Sequence, residues 1–245
     1  MTRKQYFLSG LKDGMPICFG YFAVSFAFGI QAAGIGLSVF EASVLSALNV
    51  TSAGQFAALA IIASGASLIE LAFTQLIINL RYFLMSCALS QKLSPSLPLG
   101  HRLGIAYGMT DEIFAVSVSQ REPLSPFYSY GLIAVAIPGW VLGTALGAAA
   151  GNILPAVLTN ALGIAIYGMF IAIILPPAKE NRVVAGVVVL SMVLSALFTY
   201  LPVLCNISSG FRIIIITLIT AGGAALLFPI PDEPAEPEKE MPHES

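Results

Sequence analysis

FYSYGLIAVAIPGWVLGTALGAAA, residues 127–150, runs for 24 residues without an Asp, Glu, Lys or Arg. At about 1.5 Å rise per residue a helix of this length outspans a hydrocarbon core about 30 Å thick. Windows of the same character recur at 15–36, 41–63, 67–90, 104–120, 157–176, 183–203 and 211–229. The chain is 57% hydrophobic and 10% charged, with a mean hydropathy of +0.88, whereas an ordinary soluble domain carries about a quarter of its residues as charges. The runs lack the alternation of a membrane barrel, and an open sheet would leave unpaired edges in lipid. The expected fold is therefore an all-α polytopic membrane protein of about eight transmembrane helices.

Seven helices is the alternative, because the window at 104–120 contains Tyr107-Gly-Met-Thr-Asp-Glu-Ile-Phe114. Cytoplasmic loops collect Lys and Arg. With eight spans and the N-terminus inside, Arg3, Lys4, Lys12, Arg121, Lys179 and Arg182 fall inside, and Lys92, Arg102 and Arg212 outside. Skipping the fourth span moves Arg121, Lys179 and Arg182 outside, so the charges favour eight. Both termini are expected to be cytoplasmic, in a plasma or inner membrane. Residues 1–230 form the transmembrane domain, and the acidic, proline-rich stretch 231–245 reads as a solvated tail with little to bury.

Cys18, Cys87 and Cys205 sit in separate apolar segments without metal-type spacing, and His101 and His243 are the only histidines. There is no His-Glu-x-x-His and no Gly-x-Ser-x-Gly, so no metal, cofactor or enzymatic activity is expected, and nothing points to nucleic acid. A transporter, a channel and a structural subunit remain.

Three ionisable residues lie deep within the windows: Arg81, Asp111 and Glu112. Glu41, Glu70 and Arg212 lie near span ends, within reach of water or headgroups. A charge at the bilayer centre costs about 2.5–3.5 kcal/mol on insertion scales, so such residues face protein or a watery cavity. Counted from Leu97, in the loop between the third and fourth windows, Arg81 and the two acids fall at similar depth. Arg81 is expected to pair with Asp111 or Glu112; the other acid is the better proton carrier. Asp111 is assigned to the pair and Glu112 to the proton. A purely structural helix-to-helix pair is the competing reading.

Polar or small residues at mid-span allow a helix to unwind and offer its backbone to a ligand. Ser52, Ala53, Gly54 and Gln55 are candidates for such a substrate site, and Asn79 for a bond to backbone or substrate. Gly14, Pro16, Gly20 and Gly29 are candidate helix-break positions in the first helix, with tight packing or a kink the favoured reading for Gly14, Pro16 and Gly29. A faint echo between residues 54–62 and 168–175 suggests an internal repeat.

The ordered motifs Gly14-x-Pro16-Ile-x-x-Gly20-Tyr21, Phe28-Gly29, Ala53-Gly54-Gln55-Phe56, Asn79-Leu80-Arg81-Tyr82 and Thr110-Asp111-Glu112 resemble the AzlC-type branched-chain amino acid permeases. The resemblance covers residues 10–120. It implies an exporter of branched-chain and related neutral amino acids, coupled to protons and working with a small AzlD-type membrane subunit of about four spans. It adds Tyr21 to the candidate substrate residues.

Overall fold

The computed structural model describes residues 2–120, 123–151, 153–154, 157, 171, 174–202 and 204–229. The window at 157–176, the repeat echo at 168–175 and the tail lie wholly or largely outside these. Among the described residues every regular element is helical: α1 (Arg3–Gly34), α2 (Val39–Leu48), α3 (Ala53–Ala63), α4 (Leu68–Lys92), α5 (Leu99–Tyr107), α6 (Asp111–Val118), α7 (Pro126–Gly151), α8 (Arg182–Tyr200) and α9 (Ser209–Thr217). A π-helical turn at Leu218–Gly222 joins α9 to α10 (Gly223–Leu227). Among the described residues five helical stretches are long and apolar enough to cross a membrane: α1, α4, α7, α8 and the α9–α10 run.

The scaffold is the pairing of α1 with α7. One offset of 121 residues links Gly10 to Gly131, Cys18 to Gly139, Phe22 to Gly143 and Phe26 to Gly147. A constant offset means the two helices run parallel. Small residues every fourth position on α7 let the backbones close to contact distance. A Cβ on Gly147 would fall onto the Phe26 carbonyl, and one on Gly10 onto that of Tyr128.

The candidate break in α1 is absent, and at Gly14 and Gly29 the favoured alternative, tight packing, is what the helix shows. The helix continues through Gly14, Pro16, Gly20 and Gly29. Gly14 and Gly29 face the α7 backbone, while Gly20 has open space beside it. Pro16 sits within the helix, where neighbouring helices make such a residue tolerable.

The windows at 41–63 and 104–120 also need correction, since neither is one spanning helix. Helices of 10, 11, 9 and 8 residues at about 1.5 Å per residue reach only about half of the hydrocarbon core. Each pair is a re-entrant hairpin. Leu59 of α3 packs with Ala42 of α2 and with Phe28 and Ala148, near the C-terminal ends of α1 and α7, so α3 returns to the face from which α2 entered. Lys92, ending α4, donates to the carbonyl of Val118 at the end of α6 (2.6 Å), and the Leu124 amide donates to the Lys92 carbonyl (3.0 Å). The α5–α6 hairpin thus enters and leaves by the opposite face. The tips meet between the faces, where the Tyr107 hydroxyl donates to the Ala47 carbonyl.

The unit α1 plus hairpin α2–α3 therefore has the same plan as α4 plus hairpin α5–α6, in the reverse direction. This inverted arrangement is common in transporters, and it is not the relation suggested by the echo at 168–175. It also moves Lys92 and Arg102 to the face that carries Arg3 and Lys4.

Glu70 corrects another expectation. It is 5% exposed, not at a watery span end, and its Oε1 accepts from the Ser208 hydroxyl (2.5 Å) and the Gly210 amide (2.8 Å). The carboxylate answers the unsatisfied amides and positive end of α9. Glu70→Gln is expected to cost about 1–2 kcal/mol of stability, read as a lowered melting temperature. An unchanged value would show that charge contributes nothing there.

Candidate functional site

The hairpin tips and the middle of α4 surround a cavity of about 210 Å³, larger than the roughly 150 Å³ that holds benzene in an engineered core. Its walls are Tyr21 and Val24 of α1, Val50, Ser52 and Ala53 at the first tip, and Arg81 and Tyr82 of α4. Thr110, Asp111 and Glu112 at the second tip, Trp140 of α7 and Ile174 complete it.

The first tip interrupts what would otherwise be one helix. Asn49 leaves helical geometry at φ −133°, ψ 82°, and Ser52 adopts φ 46°, the only positive φ of a non-glycine among the described residues. An L-residue in that region is strained and persists only where its surroundings fix it. Here they do. Gln75 of α4 donates to the Gly54 carbonyl (2.8 Å) and accepts from Asn49 (3.3 Å) and Asn79 (3.1 Å). Thr51 donates to Asn49 (2.7 Å), and Tyr82 to the Thr51 carbonyl (3.4 Å). Ser52 provides no side-chain cap for α3; the Gly54 amide in its first turn is answered instead by the Thr51 carbonyl (3.2 Å).

At the second tip Thr110 does cap its helix, accepting from the Ile113 amide (3.3 Å). Asp111 and Glu112 occupy the first turn of α6, where the helix end favours negative charge. Arg81 Nη1 lies 3.0 Å from Asp111 Oδ2. Arg81 Nη2 donates to the Tyr82 hydroxyl (3.1 Å), with the guanidinium carbon 4.9 Å from that ring's centroid. Glu112 has a different partner: its Oε2 lies 2.6 Å from the Tyr21 hydroxyl, which is also 2.5 Å from Thr110 Oγ1. A phenol has one proton, so Tyr21 donates to one neighbour and accepts from the other, and only the threonine can reciprocate. The arginine is thus engaged with Asp111, and among the described residues the side-chain partner of Glu112 is the Tyr21 phenol.

Of the residues expected to touch substrate, Ser52, Ala53 and Tyr21 line the cavity. The others take up structural contacts. Gln55 is fully buried, donating to Ser46 (3.0 Å), which in turn lies 2.7 Å from Thr144 of α7. Asn79 belongs to the network that fixes the first tip. A Cβ on Gly54 would meet Thr51 Oγ1 at 2.5 Å, Gln75 Oε1 at 2.9 Å and Asn79 Oδ1 at 3.1 Å. Gly54→Leu is therefore expected to break this network and lower the melting temperature, not merely to obstruct substrate. A variant with normal thermal stability but no transport would contradict this.

Sequence reading missed Trp140 and Tyr82. Trp140 is 1% exposed and meets Tyr21 edge-on at 5.4 Å between centroids. It is the single tryptophan of the chain, set among glycines. Its apolar context reads as ordinary span, and only the α1–α7 register brings it to Tyr21. Asp13 was missed because α1 begins twelve residues before the hydropathy window; it accepts from Tyr128 at 2.8 Å.

A profile described as AzlC protein matches residues 16–154, the segment that contains both hairpins and nearly all of the cavity wall. The chain belongs to the AzlC family. An uncharacterized membrane protein of Archaeoglobus fulgidus is 35% identical over 189 residues, covering 76% of this chain and 83% of its own length. The inner membrane protein YgaZ of Escherichia coli K12 is 31% identical over 184 residues, covering 72% and 75%. No solved structure matches. As an AzlC protein the chain is a polytopic helical membrane protein, and transport is consistent with that membership.

Proposed function

We propose that this AzlC protein exports branched-chain and related neutral amino acids, driven by protons and assembled with a small AzlD-type membrane subunit. The observation that carries the reading is the cavity between two inverted hairpin tips. It joins an aliphatic wall of Val24, Val50 and Ile174 to charged groups of both signs, Arg81, Asp111 and Glu112. Irregular backbone at membrane depth is tolerated where it lines such a cavity, and discontinuous helices at the midplane hold substrate in many transporters. Glu112, free of the arginine, serves as the proton carrier, while Asp111 stays with Arg81.

The face bearing Arg3, Lys4, Lys92 and Arg102 is cytoplasmic on this reading, since basic residues mark that side. Both chain ends then lie inside, in an inner membrane like that of YgaZ. The test is counterflow of labelled valine, leucine, isoleucine and methionine in proteoliposomes, with and without the small subunit. Saturable exchange that responds to a proton gradient supports an exporter. Flux that ignores the gradient indicates a channel, and no flux without the partner indicates a subunit role.

A further inference from the structure

All but one of the described arginines are occupied. Arg3 lies over the Phe127 ring, Arg81 pairs with Asp111, and Arg102 and Arg212 donate to backbone carbonyls. Arg182 has no hydrogen-bond or ion-pair partner among the described residues. It stands instead at one end of a groove of about 450 Å³ between α8 and the α9–α10 run. Val183, Val187 and Leu190 line one side at helical spacing, and Ile219, Gly223 and Leu227 the other. Gly186 and Gly223 hold the groove open, since an added Cβ on either would meet nothing within 4 Å, whereas Gly139, Gly143 and Gly147 of α7 meet the α1 backbone. Thr220, the other polar side chain of the lining, donates to the Ile216 carbonyl (2.8 Å). Beyond Arg182 the lining therefore offers only apolar surface.

The start of α9 lies beside Glu70, near the start of α4, so the α9–α10 run ends toward the face where α4 ends, which also carries Arg3, Lys4 and Arg102. Arg182, level with Leu227 at the end of that run, thus lies at a membrane surface, and the groove leads from it into the bilayer. We infer that the groove holds an acyl chain of an anionic phospholipid whose phosphate is bound by Arg182. The planar guanidinium fork matches phosphate oxygens. A zwitterionic headgroup brings its own ammonium to the phosphate, whereas an anionic headgroup leaves that charge for the protein. Lys179 and Glu180, just before it in the chain, offset each other, so Arg182 supplies the net charge. Basic pockets between membrane helices recognise anionic headgroups in this way. A helix of another protein would need an acid of its own at the same depth to fill the groove and answer the arginine, and one anionic lipid does both. The assignment does not depend on the cargo.

The test is lipid binding to the purified full-length chain, by native mass spectrometry and thermal shift, with phosphatidylglycerol against phosphatidylcholine of the same acyl chains. Phosphatidylglycerol is expected to bind about fivefold more tightly, the contribution of one basic residue near a membrane surface, and to raise the melting temperature further. Arg182→Gln should bring the two lipids to equal affinity, while Lys4→Gln on the same face should keep the preference. Gly186→Leu combined with Gly223→Leu fills the groove and should remove the preference with Arg182 intact. Inorganic phosphate should give no thermal shift. Equal affinity of the native chain for both lipids, a preference that survives Arg182→Gln or the filled groove, or a shift with inorganic phosphate matching that of phosphatidylglycerol overturns the inference. Equal lipid affinity together with stabilisation by the small membrane subunit that Arg182→Gln removes would overturn it in favour of a protein helix in the groove.

Discussion

Gly147→Leu is expected to abolish folded protein. The added side chain would have to occupy the position of the Phe26 carbonyl, and neither backbone can retreat without parting α1 from α7 along the whole ladder. Overpacking in cores that can relax costs about 1–3 kcal/mol; here no rotamer change relieves the contact, so the cost exceeds that range. Gly20→Leu is the control, because Gly20 lies on the partner helix α1 with nothing within 4 Å of an added Cβ. Monodisperse yield and melting temperature should collapse for the first and hold for the second. Comparable yields would show that α1 and α7 are not in backbone contact.

Arg81→Ala should eliminate transport and reduce stability together. The substitution leaves Asp111 beside Glu112 with no cation among the described cavity residues, and removes the donor to Tyr82, which itself bonds to the first tip. Removing one partner of a fully buried pair costs about 3–5 kcal/mol. The side chains here are 42% and 47% exposed, so solvent screening reduces the expected loss to about 1–2 kcal/mol. Arg81→Lys keeps the charge without the planar fork and should fall between. Adding Asp111→Ala to Arg81→Ala should restore much of the stability and none of the transport. If the double variant is less stable than the single, the arginine is not there to neutralise Asp111.

The membrane class could be read from residues 127–150 alone, and the pairing of Arg81 from depth counting, because α5 does descend from the face where α4 ends. A break was expected at 52–55 from small and polar residues within an apolar window, and the structure places it just before, at 49–52, with Ala53, Gly54 and Gln55 already in α3. What hydropathy could not show was direction after the break. An apolar window of 23 residues looks the same whether its halves continue or fold back, and the evidence lies in contacts such as Leu59 with Ala42 and Lys92 with Val118. Local signals were nonetheless present. Ser38-x-x-Glu41 is a capping box at the start of α2, Ser67 accepts from the Glu70 amide at the start of α4, and Thr110 caps α6. The last of these announces a helix beginning where the hydropathy window placed the middle of one. The roles expected for Gln55, Asn79 and Gly54 were not legible because a polar residue at mid-span serves a buried network as well as it serves a ligand.

The parallel register of α1 and α7 also sets an order of events during synthesis. A ribosome that has released Phe26 must add another 121 residues before Gly147 exists to meet it. At about 5–20 residues per second that interval is about 6–24 s. Throughout it the nascent first helix lacks the α7 glycines that its backbone finally meets, and both half-length hairpins lack the wall against which they finally lie. Assembly is therefore governed from the far end of the repeat pair: a chain halted before residue 126 holds every charged cavity group, yet has no scaffold on which to bring them together.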